Sequence, residues 1–332
     1  MKGCATIATV LLLASAAVGA VPAEDGRPDP NPIVRDKFTA DPAPLVVGDT
    51  LYLYTGHDEA QRDEMFTMRE WLVYSTKDMK HWVDHGPIMR VTDFKWAKQD
   101  AWASQAIRAN GRYYFYAAVE HDATHPGKAI GVAVADTPTG PFRDAKGAAL
   151  ITNEMTPKGT HSWEDIDPTV FTDDDGTSWI AWGNRECYIA RLKPNMIELD
   201  GPITEITPPF FEEGPWLHKR GRIYYLTYAS LDRRTQRDEH ISYATAPAIT
   251  GPWTPRGLLT GPGRYSFTIH PGIAHFHGRW YLFAHNAALT IGDQAGAIGR
   301  RAVTVYPLHY NADGTMRPVV QDDGRVRTTQ GG

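Results

Sequence analysis

Three acidic residues stand far apart in the chain in closely similar company. Asp41 lies in "TADPAP", Asp167 in "WEDIDPTVF" and Glu213 in "FEEGPW"; His270, in "SFTIHPGI", shares the pattern of a polar residue ahead of a proline and an apolar run. Two carboxylates whose environments push their pKa values apart can serve as acid and base. Asp167 sits among Ile166, Val170 and Phe171, which belong in a core. An unpaired buried charge is costly, so that position needs a partner or a purpose. Taken singly, Asp-Pro is as readily a turn signal, and Glu213 before Gly-Pro reads equally as a solvated loop residue.

The elements that would position these residues repeat. "DPAPLVVGDTLYLYTGHD", "WASQAIRANGRYYFYAAVEHD", "DPTVFTDDDGTSWIAWGN", "EGPWLHKRGRIYYLTYAS" and "HPGIAHFHGRWYLFAHNA" each run from a polar or aromatic residue through a short apolar strand. Each then turns at Gly48, Gly111, Gly176, Gly221 or Gly278 and closes with an aromatic-rich strand. These are β-hairpins with glycine supplying the turn. A second series interleaves with them: "WLVYSTKDMKHWVDHG", "IGVAVADTPTGPFRDAKG", "CYIARLKPNMIELDG", "ISYATAPAITGPWTPRG" and "RAVTVYPLHYNADG". Two hairpins make a four-stranded unit, repeated roughly every 45 to 65 residues, the length of a propeller blade. No stretch carries sustained helical periodicity. The expected fold is all-β, a single five-bladed β-propeller over residues 24–332. A β-sandwich is the competing all-β arrangement, and the blade-length repeat argues against it.

In a propeller the first strand of each blade lines the central channel, and the first residues of those strands ring one mouth. Asp41, Trp102 or its neighbours, Asp167, Glu213 and His270 would form that ring. Like charges held together push pKa values apart. Paired carboxylates with separated pKa values are what glycoside hydrolysis requires.

Composition narrows the field. The 332 residues are 42% hydrophobic and 22% charged, with a net charge of −5, which offers no electrostatic footprint for nucleic acid. The 10 Trp and 15 Tyr suit a sugar-binding surface, although core packing accounts for most such rings. Residues 1–23 read as a secretory signal peptide, an apolar run after Lys2 ending in small residues and short for a membrane span. Cys4 would leave with it, and Cys187, in an apolar strand, then stands alone as buried filler with no disulfide partner. The expected location is secreted or periplasmic, with no membrane contact after processing.

The motifs together resemble glycoside hydrolase family 43, over about Asn31 to Pro318. "FTADPAP" with "YLYTGHDE", "WEDIDPTVF", "EGPWLHKRGRIYYLTYAS" and "HPGIAHFHGRWYLFAHNA" carry the resemblance, as do the blade-end phrases "VYSTKDMKHW", "ADTPTGPF" and "TAPAITGPW". It implies a five-bladed propeller that removes α-L-arabinofuranosyl or β-D-xylosyl units with inversion. By the same resemblance Asp41 is the general base, Glu213 the general acid, and Asp167 the third carboxylate, which orients substrate and keeps the pKa of Glu213 high. Arg301 matches an arginine that reaches the substrate or the acids. Arg300 would point to the other face of the strand. His270 matches a histidine near the channel centre that contacts a calcium ion or water cluster, a structural calcium completed mainly by water. No cofactor is implied for the chemistry.

Trp102 and Trp71 are candidates to stack on a sugar ring, and Phe66, in the insertion "GHDEAQRDEMFTMREW", to rim the pocket. Asp58, Asp100, Glu164 and Asp165 read as structural. The expected partner is plant cell-wall polysaccharide or oligosaccharide, met by a monomer. An endo-arabinanase, a propeller that binds sugar without cleaving it and a protein-interaction propeller are the alternatives. Over the two non-catalytic propellers the carboxylate triad favours the exo-acting hydrolase, with Asp41 and Glu213 roughly 6.5–9.5 Å apart as inversion requires.

Overall fold

The computed structural model describes residues 31–156, 158, 161–321 and 326–328. The signal-peptide segment and Cys4 lie outside the described residues. Within them the chain is strand after strand, interrupted by two single helical turns, Val91–Asp93 and Asn153–Met155.

Beside a small three-stranded sheet of Leu289–Ile291, Gln294–Ala295 and Val326–Thr328, which includes one parallel pair, five antiparallel sheets follow one another along the chain. Their innermost strands are Thr39–Val47, Ser104–Ala109, Thr169–Thr172, Phe211–Arg220 and Gly272–Phe276. Each turns back through one of the five expected glycines, all with φ between +60° and +84°. That conformation is open to glycine at no steric cost. Each innermost strand packs against the next, and the fifth packs against the first, so the sheets form a closed circuit of five propeller blades. Blade faces are covered on both sides by neighbouring blades. The strand Lys128–Ala135 is therefore buried at every position, and the two-residue alternation of a one-sided sheet disappears.

The structure departs from the sequence reading in two hairpins. In the third blade the outermost strand is Thr204–Glu205, beyond "CYIARLKPNMIELDG", whose far half makes only the bridge Leu192–Leu199. In the fifth blade "RAVTVYPLHYNADG" yields one strand, Ala302–Leu308, followed by a bridge between Tyr310 and Met316. The outer edge of that strand is taken by the start of the described chain. Asn31 exchanges side-chain hydrogen bonds with the Val305 backbone (3.1 and 2.7 Å), and Ile33 N–H donates to Val303 O at 2.9 Å. The chain thus closes its own ring. Cys187 is buried, in agreement with its reading as filler.

Candidate active site

Four of the innermost strands carry a proline within or immediately before them: Pro42, Pro168, Pro215 and Pro271. The residues before the first three, Asp41, Asp167 and Gly214, have φ of 53°, 60° and 60°. A left-handed aspartate is uncommon, and two at equivalent places in different blades mark a shared corner at the channel mouth. Aligned on the prolines, Gly214 rather than Glu213 occupies that corner. A side chain on Gly214 would meet His270 Nδ1 at 3.1 Å. Its bare amide instead donates to Asp167 Oδ2 at 3.0 Å. Glu213 comes one place earlier, and the pairing register shifts on both sides of it, as it does between Ala40 and Ala43 around Asp41. Such bulges re-aim side chains.

Asp41, Asp167, Glu213, His270 and Arg301 line one cavity of about 850 Å³, counted to its open mouth. Asp41 Oδ1 accepts from Arg301 Nη1 at 3.1 Å. The Asp41 backbone N–H donates to His285 Nδ1 at 3.2 Å, and His285 Nε2 lies 3.0 Å from Thr268 O. One neutral tautomer, protonated on Nε2, satisfies both contacts, and burial lowers the His285 pKa in keeping with that. Arg301 is therefore the cation that acts on Asp41. Burial pushes the Asp41 carboxyl up, but the guanidinium outweighs it and holds the group well below the usual carboxylate range.

Glu213 is the opposite case. Its Oε2 accepts from Asn184 Nδ2 at 2.9 Å. Burial, then the neighbouring charges of Glu212 and Asp41, push its pKa up to about 7. Asp167 is raised as well, by burial first and then by Glu213 and Asp41. Two buried carboxylates this close hold on to protons that isolated ones would release. Burial is the leading cause at Glu213, ahead of any repulsion. Asp167 reaches the acid's strand through the Gly214 amide and so fixes the peptide that carries Glu213.

The wall residues divide. Trp102 and Phe66 line the cavity, their rings edge to face at 5.8 Å, with Lys128 Nζ 3.7 Å from the Trp102 ring centre. Trp71 does not line it. It is fully buried, packed edge-on against Phe94 and Phe115, with its Nε1–H donating to Trp102 O at 2.7 Å. Its expected stacking on a sugar is corrected to support of the Trp102 backbone. Arg300 and Arg301, immediately before the strand Ala302–Leu308, point different ways. Arg301 enters the cavity, while Arg300 donates to the Ala60 and Arg62 carbonyls of the rim insertion. Asp58 pairs with Arg301 and Asp100 with Lys128, both structural roles.

A sequence model of the family described as Glycosyl hydrolases family 43 matches residues 30–316. The chain belongs to that family. A Bacteroides ovatus protein named xylosidase/arabinosidase is 30% identical over 335 residues, spanning 86% of this chain and 95% of its own. Xylosidase/arabinosidase 43A of Humicola insolens is 28% identical, spanning 86% and 98%. Among solved structures, a β-xylosidase/α-arabinofuranosidase from a compost microbial metagenome, complexed with xylotriose in a calcium-free form, matches with a TM-score of 0.76. It is 29% identical and covers 87% of this chain and 96% of that one.

The calcium implied for this family 43 chain can be weighed against its residues. His270 Nδ1 lies 4.0 Å from Asp41 Oδ1 and 3.8 Å from Asp167 Oδ2, and burial lowers its pKa to about 4, so it is neutral. Calcium takes six to eight oxygen ligands. Among the described residues no group of three or more His, Cys, Asp or Glu is arranged to hold a metal ion. The two nearest carboxylates are committed to Arg301 and the Gly214 amide. Among the described residues the protein offers no calcium cage of its own, and a calcium completed mainly by water would draw on His270 alone.

Four further cavity or support residues were missed or underrated from sequence. Asn184 and His285 sit inside ordinary strand-end phrases. Asp58 was read as structural without its partner. Glu239, buried and lining the cavity, accepts from the Ile269 amide at 3.1 Å. Burial, then Glu213, raises its pKa well above the ordinary value. Nothing in "RDEHISY" marks it.

Proposed function

We propose that this family 43 chain is an exo-acting glycoside hydrolase that removes terminal α-L-arabinofuranosyl or β-D-xylosyl residues from hemicellulose with inversion of configuration. The observation that carries the reading is the contrast between Asp41, held ionised by Arg301, and Glu213, raised to about 7, in one cavity. The names of the Bacteroides and Humicola relatives support the choice of sugars.

In this reading Glu213 gives its proton to the glycosidic oxygen as the bond from that oxygen to the anomeric carbon breaks. A water on the opposite face gives a proton to Asp41, and its oxygen forms the new bond to the anomeric carbon. The hydrogen-bond donor described on the Asp41 carboxylate, Arg301 Nη1, reaches Oδ1, which leaves Oδ2 to take the water's proton. The proton gained by Asp41 and the one lost by Glu213 are restored through solvent. Trp102 and Phe66 supply apolar faces for the pentose, and the insertion carrying Phe66 is tied across the mouth by Arg300. The same reading includes export of the mature chain, which then acts as a monomer on plant cell-wall polysaccharide or its oligosaccharides. Among the described residues no helix is long and apolar enough to cross a membrane.

The test is release of 4-nitrophenol from the α-L-arabinofuranoside and the β-D-xyloside, beside Asp41→Ala. Release from either, lost in the variant, supports the reading. No release from either, with internal cleavage of arabinan, would replace it with an endo-acting enzyme.

A further inference from the structure

We propose that Arg185 and Arg233 form an anion-recognition site at the mouth of the cavity, which takes a carboxylate carried on the leaving-group side of the substrate, as on a hemicellulose chain bearing uronic acid. The inference rests on the glycosidase reading of the same pocket. Both arginines line the cavity and both are exposed. Both are also tied to one residue. Arg185 N–H donates to Glu212 O at 2.6 Å, and Arg233 Nη2 pairs with Glu212 Oε1. Glu212 is the immediate neighbour of Glu213, the group assigned to protonate the leaving oxygen. Whatever is fixed to Glu212 therefore borders the departing part of the substrate.

Arg185 is an unusual residue for its place. Its φ is 68°, a conformation a long side chain seldom adopts and one that persists where the surroundings over-determine it. The conformation holds its amide on Glu212 while Asn184, one residue back, holds Glu213. Yet the Arg185 guanidinium makes no ion pair or hydrogen bond among the described residues. The other cavity arginine, Arg301, is committed to Asp58 and Asp41. Arg233 spends one nitrogen on Glu212, and a guanidinium has five N–H donors in a planar fork suited to a carboxylate.

Of the pocket's acids only Glu212 pairs with one of these cations, Arg233, and none pairs with Arg185. Asp41 is matched by Arg301, and burial drives Asp167 and Glu239 toward their neutral forms. A negatively charged sugar can thus approach this side of the mouth, with Arg185 as its first cation.

The test is the ratio of kcat/KM for 4-carboxyphenyl and 4-carbamoylphenyl β-D-xylosides, measured in wild type, Arg185→Gly and Arg185→Lys. Glycine suits the left-handed backbone, and lysine keeps the charge. The expected result is a ratio about three- to tenfold higher in wild type than in Arg185→Gly, partly restored by lysine and reduced by added salt. A ratio unchanged by Arg185→Gly overturns the proposal. If neither xyloside is turned over, the same pair is made as α-L-arabinofuranosides; if none of the four is turned over, the glycosidase reading fails, and calorimetry still decides the anion site. Xylotriose carrying one glucuronic acid should bind Glu213→Gln several-fold tighter than plain xylotriose. That preference should vanish when Arg185→Gly is added, and its absence in the parent would overturn the proposal.

Discussion

Arg301 gives Asp41 only one of its donors, Nη1 at 3.1 Å, and spends Nε and Nη2 on Asp58 at 2.9 and 3.0 Å. The bidentate pair anchors the guanidinium, and the single contact sets the charge state of the base. Arg301→Lys keeps a cation but loses the fork. The acidic limb of the kcat/KM profile should then rise toward the ordinary carboxylate range, with kcat down by about tenfold or more. Arg301→Met should be worse in another way. It leaves Asp58 buried and uncompensated, at a cost of about 3–5 kcal/mol in denaturant unfolding.

Glu213 must be protonated to act as the acid, so activity should fall as pH rises through about 7. Glu213→Ala should remove that alkaline limb. It should cost about two to four orders of magnitude on xylo-oligosaccharides. The loss should be far smaller on aryl glycosides whose leaving group needs no proton. Equal losses on both substrate types would remove Glu213 from the role.

Asn184 donates to Glu213 Oε2 at 2.9 Å and so favours its ionised form. Asn184→Ala should move the alkaline limb upward while lowering kcat, since the carboxyl loses its orienting partner. A limb that stays in place would show that Asn184 has no part in setting the acid's pKa.

Glu239 has a folded-state pKa above its ordinary 4.5. A carboxyl raised by folding binds protons more tightly in the native state. Its contribution therefore favours folding below about 4.5 and is lost as pH rises toward the folded value. Glu239→Gln keeps an oxygen for the Ile269 amide. It should match wild type near pH 4 and be the more stable of the two at pH 8 in denaturant unfolding. A variant less stable than wild type at pH 8 would contradict this.

The three carboxylates and the five hairpins were legible because they recur in register. Asp-Pro, Asp-Pro and Glu-Gly-Pro mark three innermost strands, and glycine turns follow each. The same register shows where reading stopped. Glu213 lies one place off the proline alignment, a shift created by bulges that depend on the partner strand. Trp71 was misplaced because its strand, Glu70–Thr76, is buried on both faces, so alternation cannot say which way a ring points. Glu239 lines the cavity from just before the strand His240–Ala246, and His285, in the strand Arg279–Asn286, supports Asp41 through its backbone amide; no repeat marks either as a site residue. The ring closure by Asn31 and Ile33 pairs residues more than 250 positions apart, beyond any local signal.

The most direct test of the Asp41–Glu213 pair is the anomeric configuration of the sugar first released, followed by proton NMR during hydrolysis of a xylo-oligosaccharide. Direct attack by water activated at Asp41 predicts α-xylose appearing first from the β-linked substrate, with the β-anomer growing in later by mutarotation. Initial release of β-xylose would mean a covalent intermediate and would contradict the assignment of Asp41 as a base.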